Sequence, residues 1–316
     1  MLRVLNAGET REGLQWPRLI DGLDAMFKSG CVMPLRHHYE IEVPTENSGT
    51  LLLMPAWTPG AYIGVKMVTV IPGNSARSLP AISGAYLLSS GATGALLAVI
   101  DGAELTARRT AAASALAARY LARSDASRLL VVGAGKLALN VIEAHTAVRP
   151  ITSIGIWARR IEQAEEVTQA ARALGYNAHA VDNLEQAVPK ADIISCCTLS
   201  RSPLVKGAWV RAGTHIDLIG AFKPDMRETD SAAIAKASVF ADTRDGVLSE
   251  GGDIVQAIND SAIAATDIQA DLFDLARGDH AGRETDDEIT VFKSVGAALE
   301  DLAAAILTYE AAAPTI

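Results

Sequence analysis

Leu130-Val131-Val132-Gly133-Ala134-Gly135-Lys136-Leu137-Ala138 decides the fold, because it reads as a short buried strand running into a glycine turn and then a helix. Gly133 allows the tight turn, Gly135 lets backbone approach a pyrophosphate, and Ala138 is small enough for the new helix to pack against its strand. The helix N-terminus then faces the anion, which makes Gly133, Gly135, Lys136 and Leu137 the candidate phosphate cradle. A lone G-x-G-x-x-A is a weak signal, and a plain structural turn is its alternative, so the context carries the reading. Upstream lies the alanine-rich helical run Ala111 to Ala122. Downstream, Ile154 to Trp157 reads as a second strand after a helix of suitable length, completing a βαβ unit.

The dinucleotide is chosen at the end of that second strand, where an NAD enzyme places a carboxylate on the ribose 2′-hydroxyl. This chain carries Ala158-Arg159-Arg160 there. With no acid to repel a 2′-phosphate and two guanidiniums able to bond it, NADP(H) is the expected cofactor and NAD(H) the alternative. The competing reading makes Arg159 and Arg160 solvated residues at the start of the next helix.

The 316 residues suffice for two domains, and the 49% hydrophobic fraction is that of an ordinary globular protein. Apolar runs such as Leu96 to Ile100 and Ala303 to Leu307 are far shorter than the roughly 20 residues a bilayer needs. The first residues, with Arg3, Glu9, Arg11 and Glu12, lack the apolar core of a secretion signal, so a cytoplasmic protein without membrane attachment is expected. A net charge of −9 argues against a general nucleic-acid binder. Cys31, Cys196 and Cys197 read as small buried residues in a reducing compartment. The six histidines show no ligand spacing, and His37-His38 would point to opposite faces of a strand, so no metal site is expected.

After a helix around Trp16 to Lys28, the segment Val32 to Val70 alternates β-like runs with Pro, Gly and Asn turns, and Leu87 to Leu88 and Leu96 to Ile100 continue this antiparallel pattern. From Leu105 the chain is strongly helical. From Leu129 it cycles strand and helix, with strands at Leu129 to Val132, Ser153 to Trp157, Ile193 to Cys197, His215 to Ile219 and Ser238 to Ala241. Such alternation means a parallel, doubly wound sheet. Thr290 to Tyr309 reads as one long apolar helix returning to the first domain.

Several stretches together resemble the ornithine cyclodeaminase and mu-crystallin family over nearly the whole chain. They are Met54-Pro55-Ala56, Gly64-Val65-Lys66, Ile71-Pro72-Gly73-Asn74, Asp101-Gly102, Leu105-Thr106-Ala107-Arg108-Arg109-Thr110-Ala111-Ala112, the glycine turn, Pro224-Asp225-Met226-Arg227-Glu228 and Val291-Phe292-Lys293-Ser294-Val295-Gly296. The resemblance implies an α/β protein with a Rossmann-like doubly wound parallel sheet plus an α+β substrate and dimerisation domain. It assigns residues 1–118, completed by a C-terminal helix at 293–316, to the substrate domain and 119–292 to the dinucleotide domain, and it implies a homodimer. It also places Arg36, Lys66 and Arg109 at the pocket for a small amino or imino acid, with Lys66 and Arg109 in catalytic roles. Arg36 and Arg109 look like carboxylate clamps, since a guanidinium fork suits a planar carboxylate. Lys66, on an apolar strand with no acid nearby in sequence, needs a partner that a substrate carboxylate or imine nitrogen would supply. Thr110 and Thr198 look like cofactor contacts by the same resemblance.

One departure separates activities within the family. Ornithine cyclodeaminases carry an aspartate shortly after the glycine that follows the fourth strand, and here Gly220-Ala221-Phe222-Lys223-Pro224 puts Phe222 in that place. A phenyl ring can neither accept a proton nor pair with an ammonium. The run from Phe222 to Glu228 instead looks like that of the cyclic ketimine reductases, which reduce Δ1-pyrroline-2-carboxylate and Δ1-piperideine-2-carboxylate. The expected activity is therefore NAD(P)H-dependent reduction of a small cyclic imino acid to L-proline or L-pipecolate, with Phe222 lining the substrate. The alternatives are an ornithine cyclodeaminase and a ligand carrier of the mu-crystallin kind.

Overall fold

A computed structural model describes residues 2–44 and 46–312. The chain divides into two compact units, Met1–Arg109 with Ala298–Ile316, and Thr110–Ala297.

The first unit runs β1 (Arg3–Leu5), α1 (Ala7–Gly13), α2 (Trp16–Ser29), β2 (His37–Ile41), β3 (Gly49–Thr58), β4 (Tyr62–Val70), β5 (Ile82–Ser90) and β6 (Leu96–Asp101), and then enters α3 (Gly102–Leu121). Asn6 starts α1 with a reciprocal cap, accepting the Glu9 N–H while the Glu9 carboxylate accepts its own N–H. In α2 the apolar residues Leu19, Ile20, Leu23 and Phe27 fall on one face and are all buried. The six strands lie in the order β1-β6-β5-β4-β3-β2, antiparallel except for β1 beside β6. Register puts Lys66 of β4 between Met54 of β3 and Tyr86 of β5. Two residues earlier on the same face, Gly64 makes room for the Tyr86 ring: a Cβ there would lie 1.9 Å from the phenolic oxygen.

The second unit is a Rossmann-like layer structure. It comprises β7 (Arg128–Val132), α4 (Ala138–Thr146), β8 (Ser153–Trp157), α5 (Ile161–Ala173), β9 (Ala178–Val181), α6 (Leu184–Ala187), β10 (Ile193–Cys196), β11 (His215–Leu218), α7 (Ser231–Ala235), β12 (Ser238–Ala241), α8 (Arg244–Glu250), α9 (Gly252–Asn259), β13 (Ile268–Asp271), α10 (Leu272–Arg277) and β14 (Thr290–Lys293). The eight strands are all parallel, in the order β13-β12-β14-β11-β10-β7-β8-β9. Every residue of β10, β11 and β14 is buried, as expected of strands covered on both faces. The strand order reverses direction between β7 and β10, which opens the crevice where this architecture binds its ligands.

The chain ends on α11 (Ala298–Ala311), which packs on α1, α2 and the β3, β4 and β5 face of the first unit. The single helix expected over Thr290 to Tyr309 is therefore two elements, strand β14 and helix α11. The β-branched and aromatic run Thr290-Val291-Phe292 pairs between β11 and β12, and Gly296, at a φ of 84°, turns the chain before the helix. Lys293, expected to open the C-terminal helix, is instead the last residue of β14, and residues 313–316 of that expectation lie outside the described residues. The short strands β1, β9 and β13 were not anticipated either.

Replacing Gly64 with alanine forces its Cβ against the buried Tyr86 ring, and we expect a loss of about 1–3 kcal/mol in urea unfolding. An unchanged midpoint would show that the Tyr86 ring shifts freely.

Candidate functional site

The glycine turn builds the first part of the site. Gly133 leaves β7 at a φ of 125°, in the left-handed region that L side chains avoid, and donates its N–H to the Trp157 carbonyl at 2.8 Å. Any Cβ there would lie 3.0 Å from both the carbonyl oxygen and the sulfur of Cys197, across the crevice. Gly135 differs, because a Cβ built on it meets nothing within 4 Å. Its small size therefore serves no internal contact and leaves open space where a bound group can approach the backbone. Leu137 stands at the N-cap of α4 without a side-chain cap, and the Ala138 N–H is taken by the Gly135 carbonyl at 3.1 Å, so the helix dipole and the N–H groups that follow Ala138 are what this terminus has for an incoming anion. Lys136 is exposed and Leu137 half-buried beside this terminus. These residues fit a dinucleotide pyrophosphate. After β8, Ala158 is buried while Arg159 and Arg160 are exposed, with Arg160 at the N-cap of α5.

A buried acid organises the other side of the crevice. Glu228 accepts hydrogen bonds from the Thr198 N–H at 2.6 Å and hydroxyl at 2.8 Å through one oxygen, and from the Gly220 N–H at 2.7 Å through the other. It thus ties the loop after β10 to the loop after β11. The Thr198 hydroxyl, expected to face a cofactor, spends its proton on Glu228. Asp253 in α9 fixes this segment in turn by accepting the Glu228 and Thr229 N–H groups, each at 2.8 Å. The Lys293 ammonium, fully buried, donates to the Leu218 carbonyl at 3.0 Å and lies 3.8 Å from Asp253. Burial pushes the Glu228 carboxyl up to about 7, against the pull of Lys293. Phe222, two residues beyond Gly220, is 40% exposed, a large apolar side chain at the surface of the second unit.

The first unit holds a second buried group of charges. Arg109 donates from Nε to Asp301 Oδ1 at 2.9 Å and from Nη1 to Glu300 Oε2 at 2.6 Å, while Lys66 Nζ meets Asp301 Oδ2 at 2.6 Å. All four side chains are at most 9% exposed. One carboxylate thus brings together the two cations that the resemblance assigns to the substrate. Burial, opposed by Asp301 and reinforced by Arg109, lowers the Lys66 ammonium to about 8. Lys66, with no acid nearby in sequence, was expected to need a partner such as the substrate; the protein itself supplies one, Asp301 of α11, far away in sequence. Arg108, next to Arg109, turns elsewhere and donates to the Leu14 carbonyl at 2.9 Å with its guanidinium over the Trp16 ring. Arg36 is half-buried, one residue before the edge strand β2, and Thr110 is half-buried in α3.

Glu300 and Asp301 were missed from sequence, although two adjacent acids inside the alanine- and leucine-rich run 297–306 were a signal that their helix face meets cations. Glu228 was noted within a motif but given no task. Burial raises the Cys31 thiol to about 11 and those of Cys196 and Cys197 further, which disfavours the thiolate form of each. Among the described residues no group of three His, Cys, Asp or Glu side chains could hold a metal ion, and no helix is long and apolar enough to cross a membrane.

Comparison with known proteins identifies the family. The profile of the ornithine cyclodeaminase/mu-crystallin family matches residues 9–315. A Delta(1)-pyrroline-2-carboxylate reductase of Paracoccus denitrificans is 40% identical over 303 residues, covering 95% of this chain and 94% of its own. Among solved structures, the Thermococcus litoralis Delta(1)-pyrroline-2-carboxylate reductase in complex with NADH and L-proline superposes with a TM-score of 0.90 at 34% identity, over 98% of this chain and 97% of that one. An archaeal alanine dehydrogenase dimer with bound NAD follows at 0.89 and 32%, over 98% and 96%. The chain belongs to the ornithine cyclodeaminase/mu-crystallin family.

Proposed function

We propose that this protein reduces a small cyclic imino acid, Δ1-pyrroline-2-carboxylate or Δ1-piperideine-2-carboxylate, to L-proline or L-pipecolate with NADPH. The observation that carries the reading is the buried pair Lys66 and Arg109, two cations fixed on one carboxylate, in a chain whose relatives bear the reductase name. Held in place by Asp301 and Glu300, these cations grip the substrate carboxylate with little rotamer freedom left to lose. Arg36 adds a second guanidinium to the clamp. Lys66, whose proton is loosely held, can also give it up toward the imine nitrogen. Phe222 presents an apolar surface to the ring and leaves no base where the cyclodeaminases carry an aspartate.

The residues at the glycine turn hold the cofactor. Gly133, Gly135, Lys136, Leu137 and the α4 N-terminus take the pyrophosphate, with Thr110 as a further contact, while Ala158, Arg159 and Arg160 take the ribose and its 2′-phosphate. Glu228 holds Thr198 and Gly220 at the inner half. When bound, the reduced nicotinamide supplies the hydride that adds to the imine carbon. A homodimer, as in the archaeal alanine dehydrogenase, and a cytoplasmic location with its reduced NADP pool complete the proposal.

The direct test is a panel of cyclic imino acids assayed with NADPH and NADH, with ornithine plus NAD as the cyclodeaminase control. We expect cofactor oxidation with the cyclic imines and no ammonia from ornithine; the opposite pattern would restore the cyclodeaminase reading. For cofactor choice, changing Arg159 and Arg160 to alanine should weaken NADPH by about 1.5–3 kcal/mol per charged hydrogen bond lost and leave NADH nearly unaffected. Equal weakening of both cofactors would remove the 2′-phosphate role.

A pH dependence follows from Lys66. Its ammonium is present below about pH 8 and lost above, so the attraction for the substrate carboxylate, and with it kcat/KM, should fall as pH rises through 8. Lys66→Met should abolish that limb. A profile that keeps the limb in the variant would assign it to another group.

A further inference from the structure

The crevice side of the second unit holds a buried acid with a single outlet. Glu228 is fully buried, and among the described residues its carboxylate meets three donors: Oε1 accepts the Thr198 N–H and the Thr198 hydroxyl, and Oε2 accepts the Gly220 N–H. A backbone N–H only donates, whereas a hydroxyl donates and accepts, so the Thr198 hydroxyl alone of the three can take a proton from the carboxyl. Thr198 is half-buried in the loop after β10, and its Oγ also accepts the Ser200 N–H at 3.3 Å. Reversing the hydroxyl costs none of these contacts. With a proton on Oε1, Glu228 donates to Thr198 Oγ and still accepts both N–H groups, while the proton of Thr198 is released to another acceptor.

The surroundings hold such a proton in readiness. The charged groups at Glu228 are Lys293 of β14 and Asp253 of α9, both fully buried, and the thiols of Cys196 and Cys197 beside it stay neutral because burial raises them. Burial outweighs the pull of Lys293, and the negative charge of Asp253 adds to it, so the carboxyl, at about 7, exchanges its proton near neutrality, where general acids work best.

We propose that Thr198 and Glu228 form a proton relay to the imine nitrogen. The inference rests on the reductase reading above. Turning an unprotonated imino acid carboxylate into a zwitterionic amino acid adds one hydride and two protons across the C=N bond. Lys66 can supply one of the two protons; the relay supplies the other. Hydride forms the C–H bond at the imine carbon, the C=N π pair moves to nitrogen and takes the hydroxyl proton of Thr198, and Thr198 Oγ takes the carboxyl proton of Glu228. Glu228 is left ionised and regains a proton from solvent through the same hydroxyl once the product has gone. Thr198 is the catalytic residue of the pair, and Glu228 acts through it.

The test uses the intact protein and its Thr198→Val, Thr198→Ser and Glu228→Gln variants. Infrared titration without ligands should show a carboxylic C=O band that disappears as pH rises through about 7, shifts in Thr198→Val and is missing from Glu228→Gln. With Δ1-pyrroline-2-carboxylate and NADPH, Thr198→Val should lower kcat by about 100-fold while NADPH affinity, read by fluorescence titration, stays nearly unchanged, and Thr198→Ser should restore most of the rate. Because the donor must be protonated, kcat/KM of the unmodified protein should begin to fall through about 7, below the Lys66 limb, and Thr198→Val should lose only this lower limb. An unchanged kcat in Thr198→Val, in a protein that does reduce cyclic imines, would overturn the relay and leave the reductase reading intact. Should that variant fail to fold, the infrared titration decides, and a Glu228 carboxyl ionised throughout would overturn the relay. No imine reduction by the unmodified protein would overturn both.

Discussion

Asp301 sits in the first turn of α11 with one oxygen 2.6 Å from the Lys66 ammonium of β4 and the other 2.9 Å from the Arg109 guanidinium of α3. Three elements of the first unit therefore meet on a single buried carboxylate, and Glu300 completes the set on Arg109. Carboxylates in a first turn also suit the helix dipole. Burying four charges is costly, and removing one partner from such a group leaves an uncompensated charge worth about 3–5 kcal/mol. What the arrangement provides is fixity. Lys66 and Arg109 cannot swing toward solvent, so a carboxylate arriving at them meets donors already in position.

The second unit applies the same device to backbone. Glu228 gathers the Thr198 and Gly220 N–H groups onto its two oxygens, and a Cβ at Gly220 would lie only 1.8 Å from the Thr198 carbonyl oxygen. The loops after β10 and β11 are consequently locked beside the crevice at which strand order reverses. Asp253 and Lys293 hold Glu228 from behind, which ties α9 and β14 to the same point. The motifs Pro224 to Glu228 and Val291 to Gly296 thus share a physical task, although neither contributes to the glycine turn itself.

The parts legible in sequence are those set by local chemistry. The strand, turn and helix around Gly133 follow from residues next to one another, and the strands at Leu129, Ser153, Ile193, His215 and Ser238 announce themselves as apolar runs between turn residues. Strands β9 and β13 were missed because Ala178-His179-Ala180-Val181 and Ile268-Gln269-Ala270-Asp271 are only four residues long and interrupted by polar side chains, and only pairing with neighbours makes them strands. Thr290 to Lys293 merged with the following helix because four residues are too few to show a strand period beside a longer helical run. The partnership of Asp301 with Lys66 spans most of the chain and leaves no local trace. Sequence offered both halves, an unpartnered lysine on one strand and two acids in an apolar helix, but no rule of spacing joins them.

The central claim is that this chain moves hydride from a reduced nicotinamide to the α-carbon of a cyclic imino acid. Incubation of the protein with Δ1-pyrroline-2-carboxylate and NADPH deuterated at the transferable C4 position, followed by mass spectrometry of the product, tests it most directly. Proline one mass unit heavier, with the deuterium on its α-carbon, is the expected result. Proline without label, or no proline while ornithine is converted with release of ammonia, would contradict it.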